Sequence, residues 1–345
     1  MGLAVAFAGL VFAIRFAAGG NGSGGSVPVD VAAGGSPGEI ADSLADARVV
    51  RSATLFAWYL RLFGNATRLK PGAHLVPDDL SAGDLVALLE RSSSRREKVT
   101  FPEGWTRFDM ARRLEEKRIA SAARFLEATT DKALLAELGI PGESADGYLF
   151  PATYQLAVDA DPRDVVRRLK GEMDARMDKI RAAHPELPGP QIRELGWSPH
   201  EVVVLASLVE KEAVVDEERP LVASALINRF RDPSFTPKPP RLQSDPSAAY
   251  GCLVYRDRIK SCVGFANNKI TPEMNADPEN PYSTYSHAGL PPGPIANPGE
   301  KSLLAAFLPA DTKYLYFVAK GGGRHTFSAT LEAHNAAVRH LKTGQ

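Results

Sequence analysis

His200-Glu201-Val202-Val203-Val204-Leu205-Ala206-Ser207-Leu208-Val209-Glu210-Lys211-Glu212-Ala213-Val214-Val215 is the most informative run of the chain. Ser198 is a ready N-cap and Pro199 suits a first turn, so the spacing predicts a long apolar helix that opens a second folded region. At 100° per residue, Glu212 falls within about 60° of Leu205, Leu208, Val209 and Val215, whereas Glu210 points away with Val203 and Ser207. Glu212 is therefore expected on an apolar face. A carboxyl group there loses solvation, which penalises its charged form, raises its pKa and keeps a proton available for general acid work. Two plainer readings stand beside this one. Glu210, Lys211 and Glu212 can be the solvated end of a helix, or Arg219 can neutralise Glu212 and leave an acid of ordinary or lowered pKa.

Downstream, polar residues lie among turn-formers. Asn228 ends an apolar helix from Leu221 to Ile227. Leu242-Gln243-Ser244-Asp245-Pro246 leads to Tyr250, and Pro281-Tyr282-Ser283-Thr284-Tyr285 leads to the run Gly289–Gly299, stiffened by four prolines. Stiff loops can wall a groove at little ordering cost. Aromatics with amides suit a sugar, whose faces are apolar and whose edges hydrogen-bond. Tyr314–Val318, Gly321-Gly322-Gly323 and His325-Thr326-Phe327 read as strand, turn and strand, followed by a C-terminal helix.

Upstream, residues 27 to about 150 repeat a strand, a Pro/Gly turn and a capped helix. Val27–Val31 precedes a helix from Glu39 to about Val50. Leu69–Ala73 and Val76 precede Ser81–Leu89, and Val99-Thr100-Phe101 precedes a helix from Thr106. Helical segments continue through Ala120–Leu138 and Pro162–Ala183, and the Pro/Gly-rich passage His184–Gly196 reads as a boundary. At the amino end, Met1–Ala18 is apolar with Arg15 its only charge, just long enough to span a bilayer, and Gly19–Ser26 reads as a flexible tether. A cleaved signal peptide is the rival, although a basic n-region is absent.

Lys and Arg balance Asp and Glu at 41 each, without like-charge blocks, so the footprint of a nucleic-acid binder is missing. Two cysteines exclude four-Cys zinc sites. Seven histidines include no HExxH, and neither a P-loop nor a Gly-x-Ser-x-Gly elbow is present.

Ala206–Glu212, Leu226-Ile227-Asn228-Arg229-Phe230, Leu242–Pro246, Gly289-Leu290-Pro291-Pro292-Gly293-Pro294-Ile295, and Tyr316-Phe317-Val318 with His325-Thr326-Phe327 resemble, in order and spacing, the motifs of the YceG-like endolytic murein transglycosylases. The resemblance runs from about residue 27 to the end. It implies an α+β chain: a single transmembrane helix (1–20), a tether (21–26), a LysM-like strand-helix module (27–150), a helical connector (151–197) and a mixed α+β catalytic domain (198–345). It implies Glu212 as the catalytic acid/base, the residue the helical-face argument selects, with Glu210, Asn228, Gln243, Asp245, Tyr282 and Tyr285 binding substrate. Tyr282-Ser283-Thr284-Tyr285 departs from the family's Tyr-Asn-Thr-Tyr, and Gly251–Asp277 follows no family pattern.

The implied reaction cuts the MurNAc-GlcNAc bond of peptidoglycan glycan strands to leave 1,6-anhydro ends, with neither cofactor nor metal. Cell-wall synthases are implied partners, and the implied location is the bacterial inner membrane with the catalytic domain outside the cytoplasm. In that oxidising compartment Cys252 and Cys262 are expected to form a disulfide, with two buried thiols the alternative. Two rival functions remain. One is a hydrolytic muramidase with Asp245 or Glu217 as second carboxylate, and the other is a non-catalytic peptidoglycan-binding scaffold.

Overall fold

The computed structural model describes residues 20, 25–32, 34–63, 66–90, 96–265 and 269–343, which divide into two compact units. The expected transmembrane segment and most of the tether lie outside the described residues. Among those described, no helix is long and apolar enough to cross a membrane.

The first unit takes the described residues of Met1–Thr100 with Ala111–Phe125 and Thr153–Val165. β1 (Ser26–Val31) pairs antiparallel with β2 (Gly72–Pro77), placing Val29 opposite His74. α1 (Pro37–Asp46) and α2 (Ala53–Leu62) run between these strands, and α3 (Ala82–Leu89) follows them. Ser36, Ser52 and Ser81 each accept from the backbone N–H three residues on, satisfying a donor that a helix start leaves open. Ile40, Leu44, Phe56, Leu60, Val76 and Leu85 share the core.

The helix expected to reach about Val50 stops at Asp46. Arg48 turns left-handed (φ 60°), and the Val49 N–H bonds back to the Leu44 carbonyl at 2.9 Å, which sends Val49 and Val50 into the core. β3 (Arg96–Thr100) pairs antiparallel with β4 (Thr153–Ala157), a strand within the stretch expected as a helical connector. α4 (Arg107–Glu116) and α5 (Ala122–Ala128) carry the chain across the division between units.

The second unit takes Phe101–Met110, Leu126–Ala152 and the described residues of Val166–Gln345. Segments 101–110 and 126–152 thus fold with the C-terminal part, a division different from the sequential one expected at 150 and 197. Its helices are α6 (Lys132–Glu137), α7 (Pro162–Ala183, entered from the first unit), α8 (Pro190–Leu195), α9 (Pro199–Glu212), α10 (Arg219–Arg231), α11 (Asp245–Tyr255), α12 (Pro272–Ala276), α13 (Glu300–Phe307) and α14 (Leu331–Thr343). Ser198 and Glu201 close a capping box on α9, and every residue from Val202 to Val209 is buried as the helix packs on α10 and α13. α9 ends at Glu212 rather than Val215, because Ala213 is extended (φ −91°, ψ 115°). β5 (Tyr316–Gly321) and β6 (Arg324–Ser328) form the expected hairpin.

The proline run expected to wall a groove is instead largely buried. The Ile295 N–H donates to Ser207 Oγ at 3.0 Å. Asn297, with no exposed surface, accepts from the N–H groups of Gly147 (2.8 Å) and Leu149 (3.0 Å) and donates to the Trp105 carbonyl at 2.9 Å. Cys252 and Cys262 are joined by a disulfide with Cα atoms 4.9 Å apart, packed with Ile259 and Phe265.

Candidate active site

Glu212 is the last residue of α9, and Ser244 is the N-cap of α11. The Ser244 hydroxyl donates to Glu212 Oε1 at 2.7 Å. Ser244 is itself fixed, since its N–H donates to Thr284 Oγ1 at 2.9 Å while the Gln243 N–H donates to the Thr284 carbonyl at 3.1 Å. These bonds hold Gln243 in the left-handed region (φ 53°), which a residue with a side chain seldom occupies. On the next residue, Asp245 Oδ1 accepts from the Tyr285 hydroxyl at 2.6 Å and from Asn275 Nδ2 at 2.8 Å.

Behind Glu212 lies Arg229 of α10, a buried guanidinium whose Nε donates to the Leu315 carbonyl at 2.7 Å and whose Nη1 donates to the Leu242 carbonyl at 2.8 Å. Phe235 and Phe317 flank it, with ring centres 5.8 and 5.7 Å away. Burial brings its pKa down to about 10, with the Glu212 charge opposing. His325 Nδ1 lies 2.8 Å from Glu218 Oε2, and the His325 N–H donates to the same oxygen at 3.0 Å. Burial pushes the Glu212 carboxyl above the ordinary carboxylate range. The Ser244 bond works against that shift, Asp245 adds to it, and His325 and Arg229 oppose it. The cluster therefore holds one carboxyl group biased toward its protonated form beside an exposed carboxylate fixed by two donors. A proton can be given from the first and later returned to it.

The YceG-like family model matches residues 29–340. The chain belongs to the YceG-like family. It is 27% identical to the endolytic murein transglycosylase of Bacillus subtilis (strain 168) over 331 residues, covering 90% of this chain and 84% of that protein. With the endolytic murein transglycosylase of Streptococcus pneumoniae (strain R6) it shares 27% over 319 residues, covering 85% of this chain and 54% of the relative, so it spans about half the relative's length. A 2.6 Å crystal structure of a protein described as YceG-like from Listeria monocytogenes is 28% identical, with a TM-score of 0.56 over 90% of this chain and 98% of that one.

Within this YceG-like chain, Glu212, Gln243, Asp245 and Tyr285 come together through α9, the start of α11 and the loop before the proline run. The other expected site residues are placed elsewhere. Glu210 is engaged with Arg219, whose Nη1 is 3.3 Å from Glu210 Oε2, and accepts from the Gly299 N–H at 3.0 Å. Arg219 thus neutralises Glu210 and not Glu212. Asn228 is buried and its amide donates to the carbonyls of Thr312 (2.8 Å) and Tyr314 (3.1 Å), tying α10 to the approach of β5. Tyr282 packs edge-on against Tyr250, with ring centres 4.9 Å apart. With Tyr250, Tyr255 and Arg107 it lines a cavity of about 530 Å³ whose lining does not include Glu212, Asp245 or Tyr285. Ser283, at the departure from the family pattern, has no exposed surface and spends its hydroxyl on the Asn275 carbonyl.

Ser244, Arg229 and Glu218 belong to the cluster without having been singled out by the sequence, whereas His325, which meets Glu218 there, lies in one of the family-like motifs. Ser244 and Arg229 sit inside quoted motifs, so their signal was position rather than chemistry. Asn280 had no signal: it donates to the Ala248 carbonyl at 2.9 Å and accepts from the Tyr282 N–H at 3.1 Å, carrying the loop that reaches Thr284. A Cβ at Gly251 would fall on the Asn280 side chain, which explains a glycine inside α11.

Proposed function

We propose that this chain is a membrane-anchored endolytic lytic transglycosylase of peptidoglycan, with Glu212 as its single acid/base. The observation that carries the reading is the Glu212 carboxyl, buried enough to favour its proton and oriented by the Ser244 hydroxyl. The names of the relatives support the substrate class. Glu212 gives its proton to the oxygen bridging MurNAc C1 and GlcNAc, and that C1–O bond breaks. The MurNAc 6-hydroxyl oxygen then bonds to C1 and its proton returns to Glu212, closing a 1,6-anhydro ring without water.

The β1-α1-α2-β2 order of the first unit supports a LysM-like glycan-binding module. The apolar run Met1–Ala18 supports a single-pass anchor in the inner membrane, with the folded units outside the cytoplasm among the cell-wall synthases that make the substrate. In that setting the cuts terminate glycan elongation.

One observation favours a second reading, hydrolysis. Asp245 acts on Glu212 through space and is fixed by Tyr285 and Asn275, and a pair of unlike carboxyl groups is what a muramidase uses. Mass spectrometry of glycan fragments released from peptidoglycan by the full chain separates the two. Anhydro ends support the transglycosylase, and reducing ends heavier by one water overturn it in favour of hydrolysis.

A further inference from the structure

α2 (Ala53–Leu62, ATLFAWYLRL) is apolar on two sides. Phe56, Ala57, Tyr59 and Leu60 are buried in the first unit's core. Trp58 and Leu62, one turn apart on the outer face, are 50% and 55% exposed, and Phe63 just beyond is 43% exposed. Six large apolar side chains are exposed among the described residues, and these are three of them. Such grouping marks an interaction surface.

Charge is segregated along the sequence of this unit. From Ala47 to Pro77 the chain carries Arg48, Arg51, Arg61, Arg68 and Lys70 and no Asp or Glu, whereas the eight acids of residues 25–90 all fall outside that interval. All five basic residues are exposed, and the Arg61 guanidinium stands 5.8 Å from the Trp58 ring. A second copy of this face would bring like charges together. An anionic bilayer accepts both halves of the pattern, tryptophan and aliphatic groups at the headgroup boundary and arginines on lipid phosphates. The chain also joins the unit nearby. The Gly20 N–H donates to the Leu80 carbonyl and the Gly20 carbonyl accepts from Arg51 Nε, both at 2.9 Å, and Arg51 immediately precedes the N-cap of α2.

We infer that the outer face of α2 and its basic flanks form a surface that rests on an anionic lipid bilayer, with Trp58, Leu62 and Phe63 at the headgroup boundary and Arg61 on phosphate. This stands apart from the catalytic reading of Glu212. The test places the full chain in vesicles of phosphatidylcholine, alone or mixed with phosphatidylglycerol, with acyl chains brominated near the headgroup. The contribution of Trp58 to fluorescence is isolated by comparison with Trp58→Phe. In phosphatidylglycerol vesicles that contribution is expected to fall by about half and shift to the blue, far more than in phosphatidylcholine alone. Arg61→Glu is expected to remove the difference while the chain still floats with the vesicles. Equal quenching in both lipids, flotation with no quenching of Trp58, or failure to float with either lipid overturns the inference. So does a shift that follows protein concentration rather than bromine, which would assign the face to a second copy.

Discussion

Ser244 holds Glu212 by a 2.7 Å bond from its hydroxyl to Oε1, so the side chain at the N-cap position of α11 makes no bond to its own helix and instead orients the carboxyl group that ends α9. Because the bond favours the carboxylate, it moderates the upward shift that burial imposes on Glu212. Ser244→Ala is therefore expected to raise the Glu212 pKa further. A general acid works while protonated, so the basic limb of the kcat/KM profile on peptidoglycan should move to higher pH. Loss of orientation should cost about tenfold in kcat/KM near neutrality. A profile measured on both proteins checks this, and an unmoved basic limb would detach Ser244 from the acid.

The same shift fixes a stability trend. Glu212 binds its proton more tightly in the folded chain than in the unfolded one, so its contribution is fully present below the unfolded value. It is lost as pH rises through the raised folded value. Glu212→Gln removes the ionisation, so its melting temperature should exceed wild type by about 2–4 °C in mildly alkaline buffer and match it near pH 4. Calorimetry across that range is the check.

Glu210 and Arg219 form a buried ion pair, with side chains 6% and 8% exposed. Arg219→Leu leaves a buried carboxylate without its main partner and should cost about 3–5 kcal/mol in urea unfolding. Glu210→Gln keeps an acceptor for the Gly299 N–H and should cost less. Its effect on catalysis should fall on kcat through the loop carrying Asn297, with KM little changed.

Asn297 joins three loops of the second unit through Gly147, Leu149 and Trp105. Asn297→Ala strands two buried N–H groups, while the Trp105 carbonyl keeps the bond from the Asn297 backbone N–H, and should destabilise by about 2–4 kcal/mol, read as a lower urea midpoint.

Local features were the ones legible in the sequence. Ser198 with Pro199, the capped starts of α1 and α3, the glycine turn between β5 and β6, and the helix Pro162–Ala183 each carry their signal within a few residues. Gln243-Ser244-Asp245-Pro246 is rich in turn-formers, yet serine at the N-cap position with proline in the first turn also opens a helix, and here it opens α11. β4 was missed because its reason for existing is β3, more than 50 residues away.

Periodicity places Glu212 on an apolar face of α9, yet from Val202 to Val209 the helix is buried all round, so facing alone does not separate Glu212 from Glu210. What distinguishes the two glutamates is their partners: Arg219 for Glu210 and Ser244 for Glu212. Those partners, with Arg229 and the Glu218–His325 pair, arrive through packing between α9, α10, α11 and β6, which no local pattern encodes. Asn228 and Tyr282 carried the right chemistry for a sugar site, but the fold spends one on backbone carbonyls and turns the other toward a separate cavity.

The central claim is that Glu212 alone carries the proton both ways. Its most direct test digests glycan strands of defined length with the full wild-type chain and with Glu212→Gln, reading the product ends by mass spectrometry. The account predicts 1,6-anhydro ends from the wild type and a loss of about a thousandfold or more in the variant. Anhydro ends released by Glu212→Gln at the wild-type rate would contradict it.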